Sequence, residues 1–424
     1  MNFQAVKGTR DFYPNEMRLR NWITDAWRQV SLRNGFEEYD SPIFEYLDLY
    51  TAKSGDEIVS QLFAFEDRGG RKLAIRPEIT PSLARMVNAK INSLPRPIKW
   101  FSVPRLCRAE NPQKGRLREF FQWNVDIIGP ADTLADAECI FTCVDFLREI
   151  GLTPQDVQVR IGSRPLAVIA LRAAGVAQEI VPAALAVLDK RPKVSREEFD
   201  ALAGKAGLTP DQTQSVCRFQ DATDLARVAQ VLAGQEGIEG PIEELRKLFA
   251  SLAALGAAEY CTLDLRIVRG LAYYTGAVYE VFDAAGSMRA IAGGGRYDNL
   301  LKVLGGPEVA ATGFGMGDVV LGILLEEKGK IPPQLQAARL DYFVIDAEDS
   351  LPAKLQVVAA LRGKGLTADF SYRYQAVGKQ FKTANQRGAK KVVIIQAGGQ
   401  SAAVKDLATG QQAEMTLEKF LQET

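Results

Sequence analysis

The sequence predicts an α/β (α+β) protein in which a helix–strand region is interrupted by a helical insertion and followed by a small α/β domain. Three observations carry this. Strand-like segments occur on both sides of residues 164–254, a stretch that is itself Ala- and Leu-rich. Pro332 and Pro333 mark a linker. Beyond it, residues 339–424 alternate strand and helix, the pattern of a small layered domain.

The elements follow in order. Residues 16–34 read as an amphipathic helix, with Leu19, Trp22, Ile23, Ala26, Trp27 and Val30 on one face, Pro14 before it and Gly35 after it. Phe36 to Tyr39 looks extended and Pro42 breaks it. Residues 97–108 and 119–128 read as two strands of a hairpin, with Gly115 available for the turn. A helix is expected over 132–150, stopped by Gly151. Within the insertion, Ser195 with Glu198 suggests a capping box, and Thr209-Pro210 a second helix start. Strand character resumes at 260–268 and 277–282, and Gly-rich stretches follow at 293–295 and 313–317. The domain boundaries read from this are 1–163, 164–254, 255–330 and 339–424.

Composition removes several chemistries. The 424 residues include no histidine, so there is no Ser-His-Asp or Cys-His nucleophile system and no His-ligated metal. Acid–base work falls to carboxylates, Lys, Tyr or substrate groups. The 52 Lys and Arg balance the 52 Asp and Glu, which argues against a general DNA-coating protein but not against local basic patches. The five cysteines, Cys107, Cys139, Cys143, Cys217 and Cys261, form no C-x-x-C pair and read as reduced thiols of a cytoplasmic protein. No signal-peptide core opens the chain, and no apolar run approaches the roughly 18 residues of a membrane span, so no membrane partner is expected.

Three clusters point to chemistry. The hairpin tip carries Arg105, Arg108, Lys114, Arg116 and Arg118, whose guanidinium forks match polyphosphate oxygens, and Phe120 offers a ring for a base to stack on. RGLAYYTGAVYE (269–280) sets an Arg beside two tyrosines. AGGGRYDNL (292–300) has three glycines that let backbone approach a ligand closely. In the tail, residues 362–391 hold eight basic residues against the single acid Asp369, including Lys379, Lys382, Lys390 and Lys391. That is either a solvated face or a phosphate-backbone footprint.

On these motifs the sequence resembles the histidyl-tRNA synthetases, class II aminoacyl-tRNA synthetases. KGTRDFYP with the following helix looks like the dimer-forming first motif, and RPEITPSLAR (76–85) like the amino-acid-binding loop. RAENPQKGRLREFFQ (108–122) looks like the second motif and ATGFGMGDVVL (311–321) like the third. RGLAYYTG and GGGRYDNL look like the two family signatures, and the tail is similar to the anticodon-binding domain. The resemblance implies an antiparallel-sheet catalytic domain, L-histidine, ATP with Mg²⁺ and histidine tRNA as reactants, and a homodimer. Glu78, Thr80 and Gln122 would hold the α-amino group. Asp126 and Tyr274 would read the imidazole, with Tyr273 shaping that pocket. Arg108 and Glu110 would hold ATP, Arg116 its outer phosphates and Phe120 its adenine. Arg269 would face the α-phosphate and substrate carboxylate, and Gly293, Gly294, Gly295 and Arg296 would line the pocket. Arg269 and Arg108 are the implied catalytic pair, the tail lysines contact tRNA, and no metal is held by His or Cys.

Three positions depart from the family pattern: Val320 replaces a usual Arg, Asp126 a usual Glu, and Ala272 an acidic residue. They raise an alternative, a synthetase-like regulatory subunit of ATP phosphoribosyltransferase, which usually lacks the tail and degrades both signatures.

Overall fold

The computed structural model describes residues 3–51, 61–269, 273–335 and 340–423, apart from the side chain of Gln334. Gly270, Leu271 and Ala272 of the tyrosine-bearing segment lie outside the described residues. By internal contacts the chain divides into two units, residues 1–330 and 331–424.

The first unit is organised by a nine-stranded sheet. Its strands are β1 (Glu37–Glu38), β5 (Ile98–Ser102), β6 (Arg105–Cys107), β7 (Glu119–Gly129), β8 (Val157–Ser163), β9 (Cys261–Leu263), β10 (Ala277–Asp283), β11 (Ala292–Arg296) and β12 (Ala310–Gly317). They run β1-β5-β7-β12-β11-β10-β8-β9, with β6 added on β7. Only the outer pairs β1–β5 and β8–β9 are parallel. The intervening strands 2 to 4, β2 (Phe44–Tyr46), β3 (Phe63–Glu66) and β4 (Lys72–Ile75), form a separate small sheet in the order β2-β4-β3.

Side chains alternate between the two faces of a sheet. One face of the central strands carries Trp123, Val125, Tyr279 and Phe314. It is closed by the helices Pro14–Arg33 and Leu134–Glu149. Trp27, Trp123 and Phe146 meet there ring to ring, and Phe314 stands edge-on to Trp123 at 4.9 Å. The Trp123 indole N–H donates to Ser31 Oγ at 2.8 Å, and Ser31 Oγ donates to the Trp27 carbonyl, which satisfies these two side chains, while the Trp27 indole N–H has no partner among the described residues. The opposite face is left for the site.

The hairpin forms as expected, but its first strand is split into β5 and β6 around Val103 and Pro104, which lie outside both strands. Residues 264–268 are a correction. Leu265, Ile267 and Val268 are buried, yet Asp264 ion-pairs Arg266 at 2.8 Å across a turn and the strand ends at Leu263. The 164–254 stretch is helical, running from Arg164–Ala173 to Glu239–Ala254. Ser195 Oγ accepts from the Glu198 N–H, while the reciprocal capping box is at Thr209 and Gln212. Among the described residues no helix is long and apolar enough to cross a membrane.

The second unit is a five-stranded sheet, β13 (Leu340–Asp346), β14 (Ala368–Phe370), β15 (Ala389–Gln396), β16 (Ser401–Asp406) and β17 (Gln412–Thr416), in the order β14-β13-β15-β16-β17. The helices Leu351–Gly363 and Val377–Gln386 pack on it.

Candidate active site

Strand register builds the site. On the open face, Asp126 of β7 lies opposite Gly313 of β12, which lies opposite Gly295 of β11, which lies opposite Val278 of β10. One row along stand Asn124, Gly315, Gly293 and Glu280. Two adjacent strands therefore present only hydrogen atoms, and longer side chains lie across them. A Cβ on Gly293 would stand 2.6 Å from Arg269 Cζ. On Gly295 it would stand 2.9 Å from the Tyr274 ring, and on Gly315 2.8 Å from Gln122 Cδ. On Gly313 it would crowd the Asp126 carboxylate, with Cγ at 3.0 Å. Real Cβ atoms rarely come within 3.4 Å of another atom, so these glycines are what let the four side chains lie on the floor.

Arg269 has a left-handed backbone, φ 58°, unusual for a residue with a side chain. Its Nη1 donates to Glu280 Oε1 at 2.7 Å, and its guanidinium lies 5.7 Å from the Tyr274 ring centre. Burial alone would lower the Arg269 pKa, but Tyr274 and Glu280 outweigh it and raise it, so the group is a fixed cation. The Tyr297 hydroxyl donates to Asp126 Oδ1. Burial first, then Asp126, pushes the Tyr297 pKa well above its ordinary value. Tyr273 packs 4.9 Å from Tyr274 and edge-on to Tyr297, and burial again raises its pKa, with Glu78 nearby.

The loop before helix Thr80–Lys90 supplies Glu78. Arg76 anchors that loop through Asp40 at 2.7 Å and the Ser41 carbonyl. The Pro77 carbonyl accepts from Arg108 Nε at 3.0 Å, joining it to the hairpin. Glu78 is buried, and its Oε1 has no hydrogen-bond partner among the described residues. A buried carboxylate oxygen left unpaired is costly, and an ammonium donor would satisfy it. Arg108 feels burial, which lowers its pKa, against Glu78 and Glu110, which raise it.

On the hairpin, Arg116 ion-pairs Glu110, and the Arg108 guanidinium lies 5.2 Å from the centre of the buried Phe120 ring. Val320 is buried beneath the hairpin tip, where a Cβ on Gly115 would meet it at 3.2 Å. Arg289 reaches the same tip, donating to Gln113 Oε1 at 2.8 Å. Asp318 ion-pairs Arg10 at 2.6 Å and accepts from the Phe121 N–H, tying the N-terminal segment to β7.

Two expected pocket residues face the other way. Arg296 and Gly294 alternate with Gly293 and Gly295 along β11. The Arg296 guanidinium is buried against Asp136 of helix Leu134–Glu149 at 2.6 Å and donates to the Pro130 and Asp132 carbonyls. A Cβ on Gly294 would stand 2.6 Å from Phe314 Cβ. Both residues serve packing on the reverse face. Glu280 and Tyr297, by contrast, were not singled out from the sequence and lie at the centre. In the second unit, Lys379 and Lys382 are exposed on helix Val377–Gln386. Lys390 is engaged with Asp341 at 2.8 Å and holds that carboxyl down to about 2, and Lys391 lies near the Tyr342 ring.

Known proteins resemble the chain along nearly its whole length. The histidyl-tRNA synthetase family model matches residues 8–317, and the anticodon-binding domain model matches residues 337–423. The histidine–tRNA ligase of Opitutus terrae is 45% identical over 395 residues, covering 92% of this chain and 90% of that protein. The chloroplastic/mitochondrial histidine–tRNA ligase of Arabidopsis thaliana is 38% identical, covering 97% and 84%. The histidyl-tRNA synthetase of Nostoc sp. PCC 7120 superposes with a TM-score of 0.82 at 25% identity, over 100% of this chain and 99% of that one. A Bacillus halodurans structure described as an ATP phosphoribosyltransferase regulatory subunit/histidyl-tRNA synthetase, at 22% identity and TM-score 0.76, shares the fold alone. The chain belongs to the histidyl-tRNA synthetase family.

Proposed function

We infer that the chain is a histidine–tRNA ligase, joining L-histidine to ATP as histidyl-adenylate and then transferring histidine to its tRNA. The observation that carries the site assignment is the glycine floor, which brings Asp126, Gln122, Arg269 and Tyr274 onto one face of the sheet. In the first step a substrate carboxylate oxygen bonds to the α-phosphorus of ATP and pyrophosphate leaves. The nucleophile is already an anion, so the protein removes no proton. Its task is to align two anions and to balance charge on the phosphate oxygens. Arg269, held by Glu280, faces the α-phosphate and carboxylate. Arg108 holds ATP, and Arg116 takes the outer phosphates on leaving Glu110. Phe120 supplies an apolar bed for adenine once Arg108 swings toward phosphate. In the second step the tRNA terminal ribose hydroxyl attacks the adenylate carbonyl, AMP leaves, and a phosphate oxygen of the adenylate takes the proton.

Selection follows from hydrogen bonding. Glu78, Thr80 and Gln122 receive the α-ammonium, and Glu78 has an unsatisfied buried oxygen for it. Asp126, oriented by Tyr297, accepts from one imidazole nitrogen and the Tyr274 hydroxyl addresses the other, with Tyr273 closing the pocket. A side chain lacking that donor–acceptor pair leaves buried polar groups unpaired, at about 1–3 kcal/mol each. Magnesium enters as part of the ATP substrate. There its ligands would be phosphate oxygens and water, with room for one or two protein carboxylates. The exposed apolar residues Ile43, Phe44, Tyr46 and Phe65 around the small sheet support a homodimer. Five unpaired thiols fit a cytoplasmic location. The second unit, with exposed Lys379 and Lys382, binds the tRNA.

The test is amino-acid-dependent exchange of pyrophosphate into ATP across a panel of amino acids. Exchange with histidine far above all others is expected. No exchange with any amino acid would overturn the reading.

A further inference from the structure

Arg269 is held at both ends, and the second holder belongs to the insertion. Its guanidinium is fixed by Glu280, but a left-handed backbone must be over-determined by its surroundings to persist. The Arg269 carbonyl accepts a hydrogen bond from Arg164 Nη1 at 3.2 Å. Arg164 is the first residue of helix Arg164–Ala173, capped by Ser163, whose Oγ accepts from the Leu166 N–H. Its own N–H donates to the Gly276 carbonyl at 3.1 Å. Ser163 in turn pairs with Ala277 in the sheet. Arg164 is therefore rigidly seated at the end of the strand pair that carries Glu280. It reaches back over Tyr274 and Thr275, with which it lines an open cleft of about 450 Å³ bordered on the insertion side by Arg172 and Glu236.

We propose that Arg164 is a positioning residue for Arg269: it clamps the carbonyl of the strained residue, so that the guanidinium is set by the seam between sheet and insertion. This rests on the reading of Arg269 as the catalytic cation. Arg164 touches neither substrate in this role. A contact made only for folding would change stability and leave kcat alone. A positioning contact changes kcat at constant KM for ATP and histidine, because it alters where the cation sits in the transition state.

The experiment is pyrophosphate exchange by Arg164→Ala, Arg164→Lys and Arg269→Ala and by the double variant Arg164→Ala/Arg269→Ala, with thermal unfolding of each. The unsubstituted chain must first show histidine-dependent exchange. Its absence would sink the functional reading and this proposal with it, whereas exchange by the unsubstituted chain leaves the variants to decide this proposal alone. Expected is a fall of about tenfold in kcat for Arg164→Ala with both KM values held, since Glu280 still holds the guanidinium and a shift of a fraction of an ångström loses part of the roughly 100-fold that a full ångström costs. Arg164→Lys, which keeps a donor, should recover part of it. In the Arg269→Ala background, removing Arg164 should have no further effect. Unchanged kcat in Arg164→Ala overturns the proposal, as does a full, additive loss in the double variant. If the alanine variant does not fold, the same comparison is read from Arg164→Lys with and without Arg269→Ala.

Discussion

Two neighbouring glycines should fail in opposite ways when given a methyl group. Gly293 and Gly294 are adjacent on β11 and point to opposite faces of the sheet. In Gly293→Ala the new Cβ would stand 2.6 Å from Arg269 Cζ, and closer to Nη1, where ordinary contact begins at 3.4 Å. The obstacle is the end of a flexible side chain, so the guanidinium retreats and the strand stays. A displacement of about an ångström in a positioned charge lowers turnover by roughly 100-fold. That equals about 2.7 kcal/mol of transition-state stabilisation. Stability should hardly fall, because alanine in a strand is favoured over glycine by about 0.5–1 kcal/mol, which offsets a loosened Arg269–Glu280 pair. In Gly294→Ala the obstacle is backbone, Phe314 Cα at 2.8 Å, and nothing there can swing aside. Overpacking of that kind costs about 1–3 kcal/mol, and unfolding should move down by a few degrees. The assay is histidine-dependent pyrophosphate exchange beside thermal unfolding, both variants in parallel. Full activity in Gly293→Ala would refute the account of the floor. So would a loss of activity matched by an equal loss of stability.

Removing a buried ion partner should separate stability from chemistry in the same way. Asp136→Ala leaves the buried Arg296 guanidinium without its main partner and should cost about 3–5 kcal/mol in denaturant unfolding, with near-normal kcat in the protein that remains folded. Charge reversal at Lys379 and Lys382 should weaken tRNA binding in a titration and reduce its salt dependence by about two counterions, leaving histidine activation alone. Equal loss in both assays would make those lysines structural.

Much of this was legible in the sequence because it is local. Helix Pro14–Arg33 follows from its apolar spacing and its Pro and Gly borders, and the hairpin from its turn. The errors are also physical. A run of three glycines carries no strand signal, since glycine is depleted in strands, and it reads only as backbone open to a ligand. Here it is a strand, and the period of two then assigns Gly294 and Arg296 to the packed face. Had 292–296 been read as extended, the parity was available. Tyr297 and Glu280 were missed for another reason. Tyr297 takes its meaning from Asp126, 171 residues earlier, and Glu280 from the carboxylate's place beside Gly293 across a strand pair. Only the register brings these together. The turn at Asp264 and Arg266 shows the converse: alternating apolar residues suggest a strand, yet the strand ends at Leu263 and the chain turns where Asp264 pairs with Arg266.

The absent histidine makes a prediction about pH. Histidine is the only side chain whose ordinary pKa puts its charge change between pH 5 and 8. At this site the tyrosines are displaced upward: burial raises Tyr273, Tyr274 and Tyr297. Arg269 is raised as well, and Arg108, though lowered by burial, starts from the ordinary guanidinium value far above neutral. No side chain of the site is a histidine, and the free substrate's imidazole ionises near 6.5, so the neutral-range ionisation expected here is the substrate's. A bend in kcat/KM for histidine between pH 5 and 8 is therefore carried by the substrate. An analogue with the same shape and a ring titrating well below imidazole should shift that bend downward by the difference in ring pKa, measured by exchange at limiting substrate. If the bend keeps its position with both substrates, the ionisation belongs to the protein, and the view of the site as fixed charges around a titrating substrate is wrong.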